Sequence, residues 1–223
     1  MTDFSIGDLT TFVPKTITQI YGEAASGKTN LCLIAAAKIA REGKKVIFID
    51  TEGSFSAQRF KQIAGAEAPE LLKNIIIAEP GDFDEQKIAI NKLDDLLVQG
   101  GFGLIIVDSL VSLYRLEMTD EGAQVANKEL SKQLSKLMNA AKKYDIPAVV
   151  TNQVYASLKD DRVLPVSRDV LKYWSKNVIQ LTKSGQYRIA TIVRHNFKPE
   201  GASIRFKITE GGIIEAAPHQ NPE

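Results

Sequence analysis

Residues 22 to 29 read Gly22-Glu23-Ala24-Ala25-Ser26-Gly27-Lys28-Thr29, which places two glycines, a lysine and a hydroxyl at every fixed position of the pattern G-x-x-x-x-G-K-[ST]. These residue types suit phosphate chemistry. The glycines let the chain turn tightly enough for backbone N–H groups to surround an anion. A helix starting beyond the second glycine adds orphan donors and the positive end of its dipole. Lys28 then reaches the β- and γ-phosphates of a nucleoside triphosphate, the Thr29 hydroxyl ligates Mg²⁺, and the binding stretch closes at Asn30. The flanks agree. Thr16 to Tyr21 alternates polar and apolar residues as a strand does, and Leu31 to Ala40 is Ala/Leu-rich as a buried helix is. A chance match would be a glycine-bearing turn that happens to carry a lysine, without this strand and helix around it.

Polar residues at the ends of other apolar runs are the next candidates, because ligands in open α/β sheets sit at the carboxyl ends of the strands. Asp108 ends the run Leu104-Ile105-Ile106-Val107, where a carboxylate holds Mg²⁺ through water opposite the Thr29 hydroxyl, or else caps the next element. Asp50-Thr51-Glu52-Gly53 ends a second run. Glu52 is placed to accept a proton from a water attacking the γ-phosphate; its alternative is a solvated turn residue. Gln153, in Thr151-Asn152-Gln153, ends a third run, and its amide suits a sensor of the γ-phosphate that informs the loop beyond. Taken alone it is an ordinary polar loop residue.

The elements that must position these groups follow from periodicity. Apolar runs recur at Lys45–Asp50, Asn74–Ala78, Leu104–Asp108 and Pro147–Thr151, with helical patterns at Ala57–Ala64, at 84–99 (Ile88, Leu93, Leu96, Leu97) and at Glu121–Lys143 (Val125, Leu130, Leu134, Leu137, Met138, Ala141). With the first strand, that makes five buried parallel strands separated by helices. Beyond them, Lys176–Leu181, Tyr187–Arg194 and Ser203–Thr209 read as an antiparallel extension on one edge. The expected fold is therefore α/β, a mostly parallel central sheet flanked by helices with an antiparallel C-terminal edge. One domain is expected over residues 1–223, with a short extension at 1–15 and a loose tail at 216–223.

Composition narrows the class. With 44% hydrophobic and 25% charged residues, no secretory signal in Met1-Thr2-Asp3-Phe4-Ser5 and no membrane-length apolar run, a soluble cytoplasmic protein is expected. The lone Cys32 excludes an internal disulfide and reads as a buried structural thiol. The net charge of +1 hides an asymmetry: from Thr151 onward there are 11 Lys/Arg against 7 Asp/Glu, a mild bias that permits nucleic-acid contact.

Gly22–Asn30, Phe48–Phe60, Leu104–Arg115 and Ala148–Val154 together resemble, in order and spacing, the ATPase core of the RecA/RadA recombinase family, over about Thr16 to Glu215. Ile49-Asp50-Thr51-Glu52-Gly53, Val107-Asp108-Ser109 and Thr151-Asn152-Gln153-Val154 are similar to its archaeal and eukaryotic branch, and nearest to archaeal paralogues consisting of the core alone. The resemblance implies a RecA-like P-loop fold that binds ATP with Mg²⁺. It makes Glu52 the catalytic glutamate, Asp108 the Walker B acid, Gln153 the γ-phosphate sensor and Arg59 the arginine stacked over adenine. With about 15 residues before the matching stretch, the helix-hairpin-helix DNA-binding domain of full recombinases is not expected. Phe4 and Phe12, the aromatics before Tyr21, lack the alanine three residues on that the family's polymerisation motif has, so a monomer or small oligomer is expected, not a long filament.

In the family's first DNA loop position, Leu116-Glu117-Met118-Thr119-Asp120-Glu121-Gly122 is acidic and repels phosphate. The second, between Val154 and Lys176, offers Lys159, Arg162, Arg168, Lys172 and Lys176 with Tyr155, Tyr173 and Trp174 among them. Basic residues interleaved with aromatics suit sequence-independent binding of single-stranded, and also double-stranded, DNA, although Tyr173-Trp174 equally suits helix packing. His195 and Lys198 lie where the family reaches a neighbour's nucleotide. The implied function is an ATP- and DNA-binding accessory protein of homologous recombination and repair with weak ATPase activity. Its implied partners are a full recombinase or a Holliday junction resolvase. The alternatives are an autonomous strand-exchange ATPase and a P-loop small-molecule kinase, the latter disfavoured because no arginine cluster follows the third strand.

Overall fold

A computed structural model of the chain describes residues 4–118, 122–156, 163–165 and 168–217, with backbone alone at 155, 156, 163–165, 168 and 169. Strands and helices alternate through β1 (Ile17–Gly22), α1 (Lys28–Arg41), β2 (Lys45–Asp50), α2 (Ala57–Ala64), α3 (Ala68–Leu72), β3 (Ile75–Ala78), α4 (Phe83–Asn91), α5 (Leu93–Leu97), β4 (Phe102–Asp108), α6 (Ala123–Lys143) and β5 (Ala148–Ala156). The remainder is β6 (Val163–Pro165), α7 (Arg168–Trp174), β7 (Asn177–Ser184), β8 (Tyr187–Arg194), β9 (Ser203–Thr209) and β10 (Gly212–Glu215).

The strand order is β10-β9-β8-β7-β1-β5-β4-β2-β3, with β6 paired to β5 off this path. The first five strands run parallel, as their uninterrupted apolar runs require. Period-2 alternation then divides each strand between two cores. Ile47, Ile49, Ile105 and Val107 join one cluster with α6, whereas Val46, Phe48, Leu104 and Ile106 join the other with α1 and α2. Helix α1 buries Ala35, Ala36, Ala37 and Cys32, small side chains that bring the helix close to the sheet.

Four details depart from the sequence pattern. Strand β7 runs parallel to β1, so only β8, β9 and β10 form the antiparallel edge; the crossover carrying α7 returns the chain to the same end of the sheet. Strand β10 and the short β6 were not expected. Val125 is 71% exposed and Ala126 is buried in its place, because Ala126 lies four residues, one helical turn, before Leu130. The helix expected over 84–99 divides into α4 and α5, with Ile88 exposed and Ile90, Leu93 and Leu97 buried.

The register is what positions the site. Gly22 stands opposite Gln153, and Asp50 opposite Asp108, so the carboxyl ends of β1, β5, β2 and β4 finish together.

Candidate functional site

The phosphate loop is built on two glycines with different reasons. A Cβ on Gly22 would fall 2.3 Å from the Leu181 carbonyl oxygen and 2.8 Å from Ser26 Oγ, so no other residue fits there. Gly27 takes φ 105° as the N-cap of α1, a left-handed conformation that side chains avoid. Ala25 is also left-handed at φ 58°, and Ser26 N–H donates to Glu23 O at 3.2 Å to close the turn. The first-turn N–H groups of α1 have no helical acceptors by geometry, which is the property an anion site needs. Buried Lys28 donates from Nζ to the carbonyls of Gly22 at 2.9 Å and Glu23 at 3.0 Å. Burial pushes its pKa down, against the opposing pull of Asp108 and Glu52.

Asp108, 1% exposed, accepts hydrogen bonds from Thr151 Oγ1 and from Ser54 Oγ at 3.3 Å, and the nearby Thr29 hydroxyl favours its ionised form. Burial is the largest influence and raises its pKa; Asp50 nearby raises it further. Asp50, in the sequence merely the acid that ends β2, organises the next turn. Its Oδ1 accepts from Glu52 N at 3.2 Å, Ser54 N at 3.0 Å and Ser54 Oγ at 3.1 Å, and its Oδ2 from Phe55 N at 2.7 Å. Thr51 Oγ1 bonds Ser109 O at 2.6 Å, Ser109 N at 2.9 Å and Ser112 Oγ at 2.6 Å, locking β2 to β4 below the site. The turn presents Glu52, whose Oε1 accepts from Gln153 Nε2 at 2.7 Å.

These elements enclose a cleft of about 220 Å³ lined by Ala24, Ala25, Gly27, Lys28, Thr29, Asn30, Glu52 and Gln153. A hard divalent cation takes oxygen ligands, and the Thr29 hydroxyl of the cleft lies near the Asp108 carboxylate. Among the described residues no cluster of three or more His, Cys, Asp or Glu is arranged around a metal. One hydroxyl and one carboxylate suit Mg²⁺, which keeps several waters and leans on substrate phosphates.

Residues 7–216 match the Rad51 family model. The chain belongs to the Rad51 family. It is 44% identical over 202 residues to the DNA repair and recombination protein RadB of Methanococcus maripaludis, covering 89% of this chain and 91% of that one. To the protein of the same description from Methanococcoides burtonii it is 45% identical over 199 residues, covering 88% of each. A solved structure described as the RadB recombinase superposes with a TM-score of 0.77 at 38% identity, over 91% of both chains. The sheet described above is thus the RecA-like fold.

With the Rad51 family as frame, the other expected residues divide. Arg59 does not line the cleft itself. It donates from Nε to Asn30 Oδ1 at 2.8 Å, and from its two terminal nitrogens to Glu210 O at 2.9 Å and Thr209 O at 2.6 Å. These acceptors hold the edge of the guanidinium and fix its plane; a base would use the face. Lys159 and Arg162 lie outside the described residues, as does the side chain of Arg168. Lys172 and Lys176 are exposed. The aromatic pair is in edge contact at 5.2 Å, with Tyr173 74% exposed and Trp174 packed against the α6 core. Lys198 is paired with Asp8 at 2.9 Å within the chain, and His195 Nδ1 accepts from Phe197 N and Lys198 N. Phe4 and Phe12 pack on the chain's own core. Of the first-loop stretch, Thr119, Asp120 and Glu121 lie outside the described residues, and Leu116 is 74% exposed. No described helix is long and apolar enough to cross a membrane.

Sequence reasoning missed Asp50 as an organiser, and Ser54 and Thr151 as partners of Asp108. The available signal was an acid followed by Thr51 and Ser54, residues that readily bond carboxylates.

Proposed function

We propose that this chain is an ATP-dependent, DNA-binding accessory protein of homologous recombination and repair with weak Mg²⁺-dependent ATPase activity. It acts on a full recombinase or a Holliday junction resolvase. The observation that carries the reading is the Glu52–Gln153 hydrogen bond at 2.7 Å across a cleft that also contains Lys28. It joins a general-base candidate directly to the strand that leads into the basic segment.

In this reading the first-turn N–H groups of α1 and the Lys28 ammonium hold the phosphates, and Glu52 takes the proton of the attacking water. The Thr29 hydroxyl and, through water, Asp108 would hold Mg²⁺, which would supply neutralisation of phosphate charge. A phosphate oxygen beside Gln153 competes for its amide, so the Glu52 contact and the path of the chain beyond β5 respond to the nucleotide. Lys159, Arg162, Arg168, Lys172 and Lys176 contact the DNA backbone without sequence preference, and Tyr173 adds a stacking face. Arg59 stacks on the adenine. Turnover is slow because Lys198 is engaged by Asp8, and Phe4 and Phe12 by the chain's own core, and not in completing a neighbour's site. The 1–223 chain acts as one domain, as a monomer or small oligomer.

A joint-molecule assay with ATP and homologous DNAs tests the role. The purified protein alone is expected to give no product but to change the yield of an added full recombinase; robust product from this chain alone establishes the autonomous alternative.

A further inference from the structure

The wall behind the phosphate loop comes from the C-terminal strands, and it touches the loop at Gly22, Glu23, Ala25 and Gly27. The Leu181 carbonyl of β7 abuts Gly22, and Lys183 Nζ lies 3.5 Å from a Glu23 carboxylate oxygen. Arg188 of β8 donates from Nη2 to the Ala25 carbonyl at 3.2 Å, and Ile208 of β9 lies against Gly27, 2.8 Å from where a Cβ would be. Two of these contacts carry a cation, and they are unequal. The Lys183–Glu23 pair is well exposed on both sides, and such pairs contribute little. Arg188 is half-buried, and its guanidinium is held by the Tyr187 carbonyl at 2.9 Å as well as by Ala25.

We propose that Arg188 is a positioning residue for nucleotide binding, bracing the phosphate loop from behind through the Ala25 carbonyl. Three observations converge on it. Ala25 is a non-glycine residue held at φ 58°, a conformation that needs external support. The other loop carbonyls on this side, those of Gly22 and Glu23, are held by Lys28 from the front, so the Ala25 peptide is the one restrained from β8. Arg188 Nε is buried with no hydrogen-bond partner, a cost the chain bears while directing Nη2 to the loop. Fixing the 25–26 peptide plane preorganises the N–H groups that follow it, and the guanidinium adds a positive charge behind the anion site. Arg188 does not line the cleft, so it acts through the loop and not on the reacting atoms.

The proposal rests on the nucleotide-site reading, and the experiment separates the two. Affinities of the full chain for MgATP and MgADP are measured by calorimetry for wild type, Arg188→Ala and Arg188→Lys. Steady-state hydrolysis, single-stranded DNA affinity at fixed salt and melting temperature without nucleotide are measured beside them. Arg188→Ala is expected to weaken both nucleotides about tenfold, the scale of one charge-assisted hydrogen bond. KM should rise to match while kcat at saturation stays within about twofold, the signature of lost uniform binding. DNA affinity and melting temperature should not move, and Arg188→Lys should recover part of the loss. Unchanged nucleotide affinity in Arg188→Ala, or a fall in kcat at constant KM, overturns the proposal. Should Arg188→Ala fail to fold, Arg188→Lys decides: intermediate affinity supports the brace and wild-type affinity overturns it. Wild-type protein that binds neither nucleotide overturns the nucleotide-site reading itself.

Discussion

Gln153 Nε2 donates to Glu52 Oε1 at 2.7 Å, which joins the end of β5 to the turn after β2 across the mouth of the phosphate loop. Neither residue reaches the other by accident. The Gly22–Gln153 register brings β5 to the loop, and four hydrogen bonds onto Asp50 fold the 52–55 turn back toward it. One contact therefore ties the turn carrying Glu52 to the chain that leaves β5.

That pairing predicts different phenotypes for its two members. Glu52→Gln should lower kcat by about 10²–10⁴-fold while nucleotide binding survives. Gln153→Ala should retain nucleotide affinity but erase any difference in DNA affinity between the ATP and ADP states, measured by fluorescence anisotropy at fixed salt. A Gln153→Ala protein whose DNA affinity still follows the nucleotide contradicts the sensor role.

Lys28 is buried, and its lowered pKa reports what that burial costs the charged form. Lys28→Ala should fold and should lose the nucleotide-induced rise in melting temperature, about 5–10 °C for wild type at one hundred times Kd. Its DNA affinity should stay within roughly twofold, as expected for distant, independent sites. Collapse of DNA binding in this variant shows that the two sites are one.

Asp108 gives a pH dependence with a definite sign. Its folded-state pKa lies above its unfolded value, so the folded chain keeps a proton there that the unfolded chain has lost. The ionised group thus costs stability above the folded pKa, and the cost fades as pH falls through that pKa toward the unfolded one. Asp108→Asn keeps an acceptor for Thr151 and should melt higher than wild type at about pH 8, by about 2–4 °C per kcal/mol relieved, with the gap closing toward about pH 4. The same variant should lose Mg²⁺-dependent hydrolysis. A gap that widens on acidification contradicts the assignment of burial as the cause.

Gly22 tests the loop geometry. The 2.3 Å approach to Leu181 O leaves no room for a methyl group, so Gly22→Ala should destabilise the chain by about 1–3 kcal/mol in chemical denaturation and abolish nucleotide binding. Gly53 takes φ 62°, and a methyl group added there would meet nothing within 4 Å, so Gly53→Ala carries only the backbone penalty and serves as the control.

How much of this was legible in the residues depended on range. Motifs with a fixed local spacing, Gly22 to Thr29 and the acids closing β2 and β4, were readable because strand, turn and helix lie within a few residues of one another. The parallel sheet was readable from apolar runs that are buried on both faces. What was hidden depends on partners far apart in the chain. The direction of β7 rests on the crossover through α7, and the Asp108–Thr151 bond spans two strands that only the register brings together. Arg188 carried no local signal and Arg59 was marked only by the resemblance; their acceptors at Ala25, Thr209 and Glu210 belong to other elements. Val125 misled because it fits the apolar composition of α6 but not its angular phase, which Ala126 fills.

The basic segment makes a prediction of its own. Neutralising Arg162, Arg168 and Lys172 together should flatten the slope of log affinity against log salt by about 2 for single-stranded DNA and nearly 3 for duplex. An unchanged slope moves the DNA surface elsewhere.

The central claim is that the loop around Lys28 serves a slow switch and not a fast motor. Steady-state MgATP hydrolysis by the purified chain, with and without single-stranded DNA, tests it most directly. The account predicts turnover well below about 1 s⁻¹, the lower end of ordinary enzymes, with little stimulation by DNA and a fall of about 10²–10⁴-fold in Glu52→Gln. DNA-stimulated turnover of about 1 s⁻¹ or faster contradicts it.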